Sequence, residues 1–424
     1  MFVRLMTGVS KRGECDELTT ELPGGPINGP PFSWSVIIFR VYLWYILAMA
    51  RTEQADRIRI EVSKINSLDM DVMGGVKHGL GLTEHRDFST VPEEGMDLLK
   101  TVMVAHLIAP FFPRIVETNF GISQKEFIDE LYKYYGYEPP KLIKLPDQVE
   151  TAKTQNSGRD VEKIEVASAH SGGMDSAYRL ATMMKEDKKV LAVHLRNLNN
   201  KGNYGEVMAS REQCQKWGVP YEEVHLRNSS GNNGFETMRT RDFLLAIVAA
   251  VTAYPYGVNK VIIEGGMFDD PKKGHFSENT AAWRMFNKLL ADAQMKMEVE
   301  GIDPGDVETV GEVIKLEKEL GIEIIPLIQN CFCTPFQRPG VRRKWNRETP
   351  VISANSSEHW CGSCIKCRRM TLGRLFYHDP RLATVPESEV KYFVEDTYDW
   401  MKKYEHNKDM ISPSFLKHLE ELKR

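Results

Sequence analysis

The chain has 424 residues, of which 42% are hydrophobic and 27% charged, and its formal net charge is -4. This excludes a disordered or fibrous chain and allows either two domains or one large domain with attachments. The slightly acidic balance argues against a surface built to hold long stretches of nucleic acid, and leaves a small or locally bound substrate.

Read from the N-terminus, Met1–Met6 lacks the apolar core of a secretory signal. The run at 36–50 (VIIFRVYLWYILAMA) is short for a membrane span and contains Arg40, which is costly in a bilayer. It reads as a buried strand or core helix, and the protein as cytoplasmic with no membrane association. Residues 1–138 hold strand-like and helical patches without a βαβ rhythm. Glu138-Pro139-Pro140 and the polar stretch 151–160 read as a linker. Residues 1–150 are therefore expected to be an additional N-terminal α+β domain of unassigned role.

From Lys163 the pattern changes to alternating strands and helices. Strands are expected at 163–170 (KIEVASAH), 189–195, 221–226, 260–264 and 323–327. Helices are expected from Met174, at 206–217 before Gly218 and Pro220, and at 240–254, 279–297 and 310–320. Such alternation implies right-handed crossovers and a doubly wound, mainly parallel α/β sheet over residues 161–375. Residues 376–424 read as C-terminal helices, with an amphipathic pattern at 385–404 that packs on the main domain.

Two features carry chemistry. The first is the turn Ser171-Gly172-Gly173-Met174-Asp175-Ser176, between the first strand and its helix. Glycines let the backbone approach a ligand, and the helix start offers free N–H groups to an anion. Ser171 and Ser176 add hydroxyls, and Asp175 is placed to hold a Mg²⁺ ion bridging phosphate oxygens. The alternative is a plain strand-to-helix turn with Asp175 as a dipole partner. The second feature is a cysteine cluster: Cys361, Cys364 and Cys367 at three-residue spacing, with Cys331 and Cys333 upstream. Three thiolates plus Cys333, or Cys331 in its place, suit a closed tetrahedral zinc site stapling a loop region. An iron–sulfur cluster or a redox pair would use the same thiols.

The sequence SGGMDS resembles the SGGxDS loop of the ATP-pyrophosphatase (PP-loop) superfamily, whose fold is HUP-like and whose members cleave ATP between the α- and β-phosphates. The loop followed by Cys…CGxCxxC is similar to the 7-cyano-7-deazaguanine synthase (QueC-like) family. Tyr204-Gly205-Glu206 and Arg241-Asp242 resemble that family's Tyr-Gly-Gln and Arg-Asn with acidic replacements, and the likeness spans about 163–375. The resemblance implies ATP-dependent adenylation of a 7-deazaguanine carboxylate, release of pyrophosphate, then C–N bond formation giving an amide or nitrile. ATP, Mg²⁺ and Zn²⁺ are the implied cofactors. Enlarged QueC-like proteins of anti-phage defence systems resemble this layout. In that form the activated deazaguanine would join an amine of a protein or other macromolecule, docked through residues 1–150. A tRNA-modifying PP-loop enzyme and a non-catalytic nucleotide-binding scaffold are the other readings, and the chain is compatible with an oligomer. On the substrate side, Glu278 is a candidate for a purine-like edge and Phe276 for stacking, with helix capping as the rival role of Glu278. Arg241 is a candidate for an anion or a structural pair, and Glu264-Gly265 for the strand end beside the ligand.

Overall fold

The computed structural model describes residues 56–62, 69–73, 78–82, 88, 90–146, 163–197, 204–228, 234–264, 269, 274–302, 306–329, 364–403 and 411–423. Alternation decides the first part of this structure. In β1 (Arg57–Val62, RIRIEV) Ile58, Ile60 and Val62 are buried while Arg57 and Arg59 face outward, the period of two expected of a sheet covered on one face. β2 (Asp69–Met73), β3 (His78–Leu82), β4 (Ile115–Thr118) and β5 (Lys141–Lys144) extend it. Their inward residues meet α1 (Glu93–Ile108) and α2 (Lys125–Tyr134) in one apolar core.

The second part is a parallel sheet. β6 (Val166–Ala169) is followed by α3 (Met174–Lys185), β7 (Val190–Asn197), α4 (Tyr204–Trp217) and β8 (Tyr221–Asn228). Then come α5 (Gly234–Ala253), β9 (Lys260–Glu264), α6 (Thr280–Asp292), β10 (Glu298–Ile302) and α7 (Val307–Leu320). The strands lie in the order β10-β9-β6-β7-β8, every pair parallel. Counted from β6 this is the doubly wound order 3-2-1-4-5, whose direction reverses between its first and fourth strands, β6 and β9. Ala167, Leu191, Val193, Val261 and Ile263 pack toward α1, α5 and α6. Val166, Val190, Ala192 and Ile262 face α3 and α7. The expected doubly wound α/β sheet is present.

Its extent differs from expectation. β3 pairs antiparallel with β8, from Leu80 opposite Asn228 to Leu82 opposite Leu226, so ten strands form one sheet among the described residues. The described residues all belong to one compact unit. The strands on either side of the expected 150/161 boundary therefore belong to one sheet. The run at 36–50 and the linker at 151–160 lie outside the described residues. After α7, α8 (Ile365–Phe376), α9 (Glu387–Lys403) and α10 (Pro413–Lys423) pack beside it through Val307, Leu372, Phe393 and Phe415. No helix among the described residues is long and apolar enough to cross a membrane.

Two expected elements are corrected. The stretch 323–327 is no strand: Ile325–Leu327 is a 3-10 turn containing Pro326. The Ile324 and Ile325 N–H groups donate to Glu317 Oε1 at 2.7 and 2.9 Å, so those donors go to a side chain on α7 instead of a ladder. The helix expected over 279–297 stops at Asp292. Gln294 turns left-handed (φ 57°), and the Met295 N–H returns to Leu290 O at 3.0 Å, which closes the helix end. The residues freed, 293–297, lead into β10, whose alternation of Glu298, Val299 and Glu300 suits an edge strand.

Candidate active site

The Ser171–Ser176 turn leaves the carboxyl end of β6, where the strand order reverses and ligands of such sheets bind. Gly172 adopts φ 77°, a left-handed backbone that glycine enters without a Cβ penalty. Space imposes the same choice. A Cβ at Gly172 would stand 2.7 Å from the Ser210 backbone nitrogen and 3.0 Å from Glu206 O, both in α4. The Gly172 carbonyl is held by two donors, Gln213 Nε2 at 3.0 Å and the Gln329 N–H at 2.9 Å. Gln213 also donates to Leu327 O at 2.8 Å, so one buried amide joins the turn, α4 and the segment after α7.

Gly173 is the N-cap of α3, and the first helical positions are Met174, Asp175 and Ser176. Helix geometry gives the N–H groups of that first turn no carbonyl within the helix, which is what an anion requires. The Ser171 and Ser176 hydroxyls lie 3.1 Å apart, Gly173 N–H donates to Ser171 Oγ at 3.2 Å, and Ser176 Oγ donates to Gly173 O at 3.1 Å. Asp175 is 8% exposed, and its Oδ2 is 3.9 Å from an Arg369 guanidinium nitrogen. The turn thus gathers helix-start N–H groups and two hydroxyls at one point, with the Asp175 carboxylate in the same first turn. His170, just before it, is fully buried, and burial with His194 nearby pushes its imidazole down to about 3, so the ring is neutral. His194 Nδ1 donates to the His170 carbonyl at 2.8 Å, a structural use.

Arg369 belongs to α8, the helix that opens at Cys364. Cys364 and Cys367 have their sulfurs 3.5 Å apart. Two thiolates on one tetrahedral ion stand about 3.8 Å apart, given Zn–S bonds of about 2.3 Å, so this pair fits two positions of a metal site. Cys331, Cys333 and Cys361 lie outside the described residues. Among the described residues no three or more His, Cys, Asp or Glu side chains gather at one point.

The substrate-side candidates are placed less simply. Phe276 is 3% exposed, with its ring 5.4–5.8 Å from those of Phe127, Tyr134 and Phe243. The ring expected to stack on a base is packed in the core. Glu278 Oε2 accepts the His275 N–H at 2.6 Å and caps the 3-10 turn Phe276–Glu278, the rival role anticipated for it. Arg241 donates to Asp242 Oδ1 at 2.9 Å, and Asp242 Oδ2 accepts from Ser277 Oγ at 3.0 Å, so Arg241 takes its structural reading. Glu264 ends β9 beside β6, at the crevice. Its side chain and Gly265 lie outside the described residues. Sequence reasoning missed Gln213, Gln329 and Arg369, which reach the turn from distant segments and carry no local signature.

No protein-family model and no curated protein matches the chain. Among solved structures, a U34-tRNA thiolase, NcsA, from Methanococcus maripaludis, determined with its [4Fe-4S] cluster, is similar at 15% identity and a TM-score of 0.25, over 51% of this chain and 74% of that one.

Proposed function

We propose that this chain is an ATP-pyrophosphatase-type enzyme that activates a carboxylate as its adenylate. One observation carries the reading: a left-handed glycine turn, sterically fixed by α4 and opening α3 with Asp175 in its first turn, sits where β6 and β9 reverse the strand order. The turn's N–H groups and the Ser171 and Ser176 hydroxyls hold the phosphates, and Asp175 is the residue to hold Mg²⁺, which would offset charge on the leaving group. A carboxylate oxygen of the substrate attacks the α-phosphorus. The bond from that phosphorus to the bridging oxygen breaks, and its electron pair leaves with pyrophosphate, stabilised by donors already in place. An amine nitrogen then attacks the acyl carbon and AMP departs with the second pair. No enzyme nucleophile is required.

The cysteine spacing and loop together favour 7-carboxy-7-deazaguanine or a relative as the acid, in QueC-like chemistry. Ammonia as the amine gives an amide, which a second ATP dehydrates to the nitrile. An amine of a protein or other macromolecule instead makes the enzyme a defence-type conjugating ligase. Cys364 and Cys367, with Cys361 and Cys333 or Cys331, would hold zinc as a structural staple. The same thiols also serve a second reading, a tRNA-modifying enzyme with an iron–sulfur cluster; iron and acid-labile sulfide content separates the two.

The test is mass spectrometry of products from ATP, Mg²⁺ and 7-carboxy-7-deazaguanine, with and without ammonium, beside Asp175→Ala. AMP, pyrophosphate and a deazaguanine amide or nitrile, formed only with Asp175 intact, are expected. AMP without that product points to a macromolecular amine, and no ATP cleavage under any condition leaves the nucleotide-binding scaffold.

A further inference from the structure

Gln329 is 3% exposed, yet neither Oε1 nor Nε2 of its carboxamide has a hydrogen-bond partner among the described residues. An unmatched buried amide destabilises the fold, so its retention calls for a cause. Its position narrows the cause. The backbone N–H of Gln329 is bonded to the carbonyl of Gly172 in the phosphate turn, and its carbonyl is 3.7 Å from where a Cβ of Gly173 would stand. The amide itself lies flat on Gly205, in the first turn of α4: a Cβ there would be 3.2–3.4 Å from Cδ, Oε1 and Nε2. Absence of a side chain at 205 is what admits the amide. It therefore sits between two helix starts, those of α3 and α4, beside the crevice at the β6 carboxyl end.

A carboxamide presents one acceptor and one donor side by side in a plane. The matching ligand surface is a planar edge with an adjacent N–H donor and acceptor, the edge of a purine-type base. We infer that Gln329 is a specificity-determining residue that pairs with such an edge while its own backbone holds the phosphate turn. Phe276 and Glu278 are committed to the core and to capping, so this amide supplies the base recognition they do not. The inference rests on the adenylation reading. Two ligands of that reaction carry the edge: the adenine of ATP and the deazapurine of the co-substrate. Pairing to adenine uses the N6–H donor with a ring nitrogen acceptor; pairing to the deazapurine uses the oxo group with the adjacent N–H.

The experiment is calorimetric titration of the full chain and of Gln329→Met, matched in length but without the paired groups, with Mg-ATP, inorganic triphosphate and 7-carboxy-7-deazaguanine. Gln329→Glu, which keeps the shape and removes the donor, is run in parallel, and thermal melting checks that each variant is folded. The expected result is an unchanged dissociation constant for triphosphate and a roughly tenfold to hundredfold weaker one for a single purine-type ligand, the size of a lost bidentate base contact. Loss for ATP assigns the edge to adenine, and loss for the acid assigns it to the co-substrate. Folded variants that bind both ligands within about twofold of the unaltered protein would overturn the inference. Failure of the unaltered protein to bind ATP or triphosphate would instead remove the adenylation reading.

Discussion

At Gly172, conformation and space impose the same requirement, and the consequences can be separated by experiment. Gly172→Ala meets a φ of 77° and a backbone nitrogen 2.7 Å from the new Cβ. We expect a loss of about 1–3 kcal/mol in urea unfolding, and affinity for Mg-ATP reduced by about tenfold or more in a titration, because the turn cannot keep its donors aimed. His170 gives a pH signature. Its folded value, near 3, lies below the ordinary histidine value of about 6.5. The unfolded chain thus takes up a proton that the folded chain refuses. The associated stability is complete above about pH 6.5 and declines as the pH falls toward 3. Between pH 7 and pH 5 the loss from this residue is about 2 kcal/mol. Urea unfolding of His170→Gln at both pH values should show a smaller drop by about that amount; an unchanged drop would mean the ring does not control it. Cys214, buried and pushed up to about 12 by burial, should resist thiol alkylation in the folded protein at pH 8 and react only after unfolding.

At the element scale, α7 and α8 approach closely through glycine. A Cβ on Gly373 would fall 2.6 Å from Val310 Cβ, and one on Gly311 would fall 2.7 Å from the Tyr377 ring. In an isolated helix Gly→Ala gains about 1 kcal/mol. Here the overlap reverses the sign, and Gly373→Ala should destabilise by about 1–2 kcal/mol in urea unfolding; a stabilised variant would contradict this packing. The contact has a functional side, since α8 delivers Arg369 to Asp175. The elements most legible in the sequence were those buried on both faces: the apolar runs of β6, β7 and β9 admit little else. Those misread were settled by local chemistry. Pro326 and the reach of Glu317 turned an apolar run into a 3-10 turn, and the left-handed turn at Gln294 ended α6 five residues early. The glycine turn itself was legible because Gly172 and Gly173 stand between an apolar strand and a helical pattern. Its supports were not, because Gln213 and Gln329 look like ordinary polar residues until the chain folds. Phe276 shows the converse: an aromatic in a polar loop reads as a ligand platform, and tertiary packing claimed it for the core.

At the scale of the molecule, the joining of β3 to β8 decides how the protein comes apart. The N-terminal strands and the parallel strands share one apolar core with α1 and α5, so unfolding of that unit should be a single transition. Far-ultraviolet circular dichroism and tryptophan fluorescence should give coincident urea curves. A fragment beginning at residue 163 would bare the β8 edge and the face of α5 that meets α1, and should aggregate instead of folding as an autonomous domain. A monomeric, cooperatively melting fragment would show that the expected boundary near residue 150 is real.

The same strand pairing sets a constraint during synthesis. β3 is complete once residue 82 has been made, but its neighbour β8 ends at residue 228. At about 5–20 residues per second, on the order of ten seconds pass with one side of that strand awaiting its mate. The sequence along β3 is HGLGL, in which two glycines separate the apolar residues. Glycine lowers the tendency of a waiting strand to recruit neighbouring nascent chains. On this view the glycines of β3 protect the newborn chain on the ribosome as much as they shape the mature sheet.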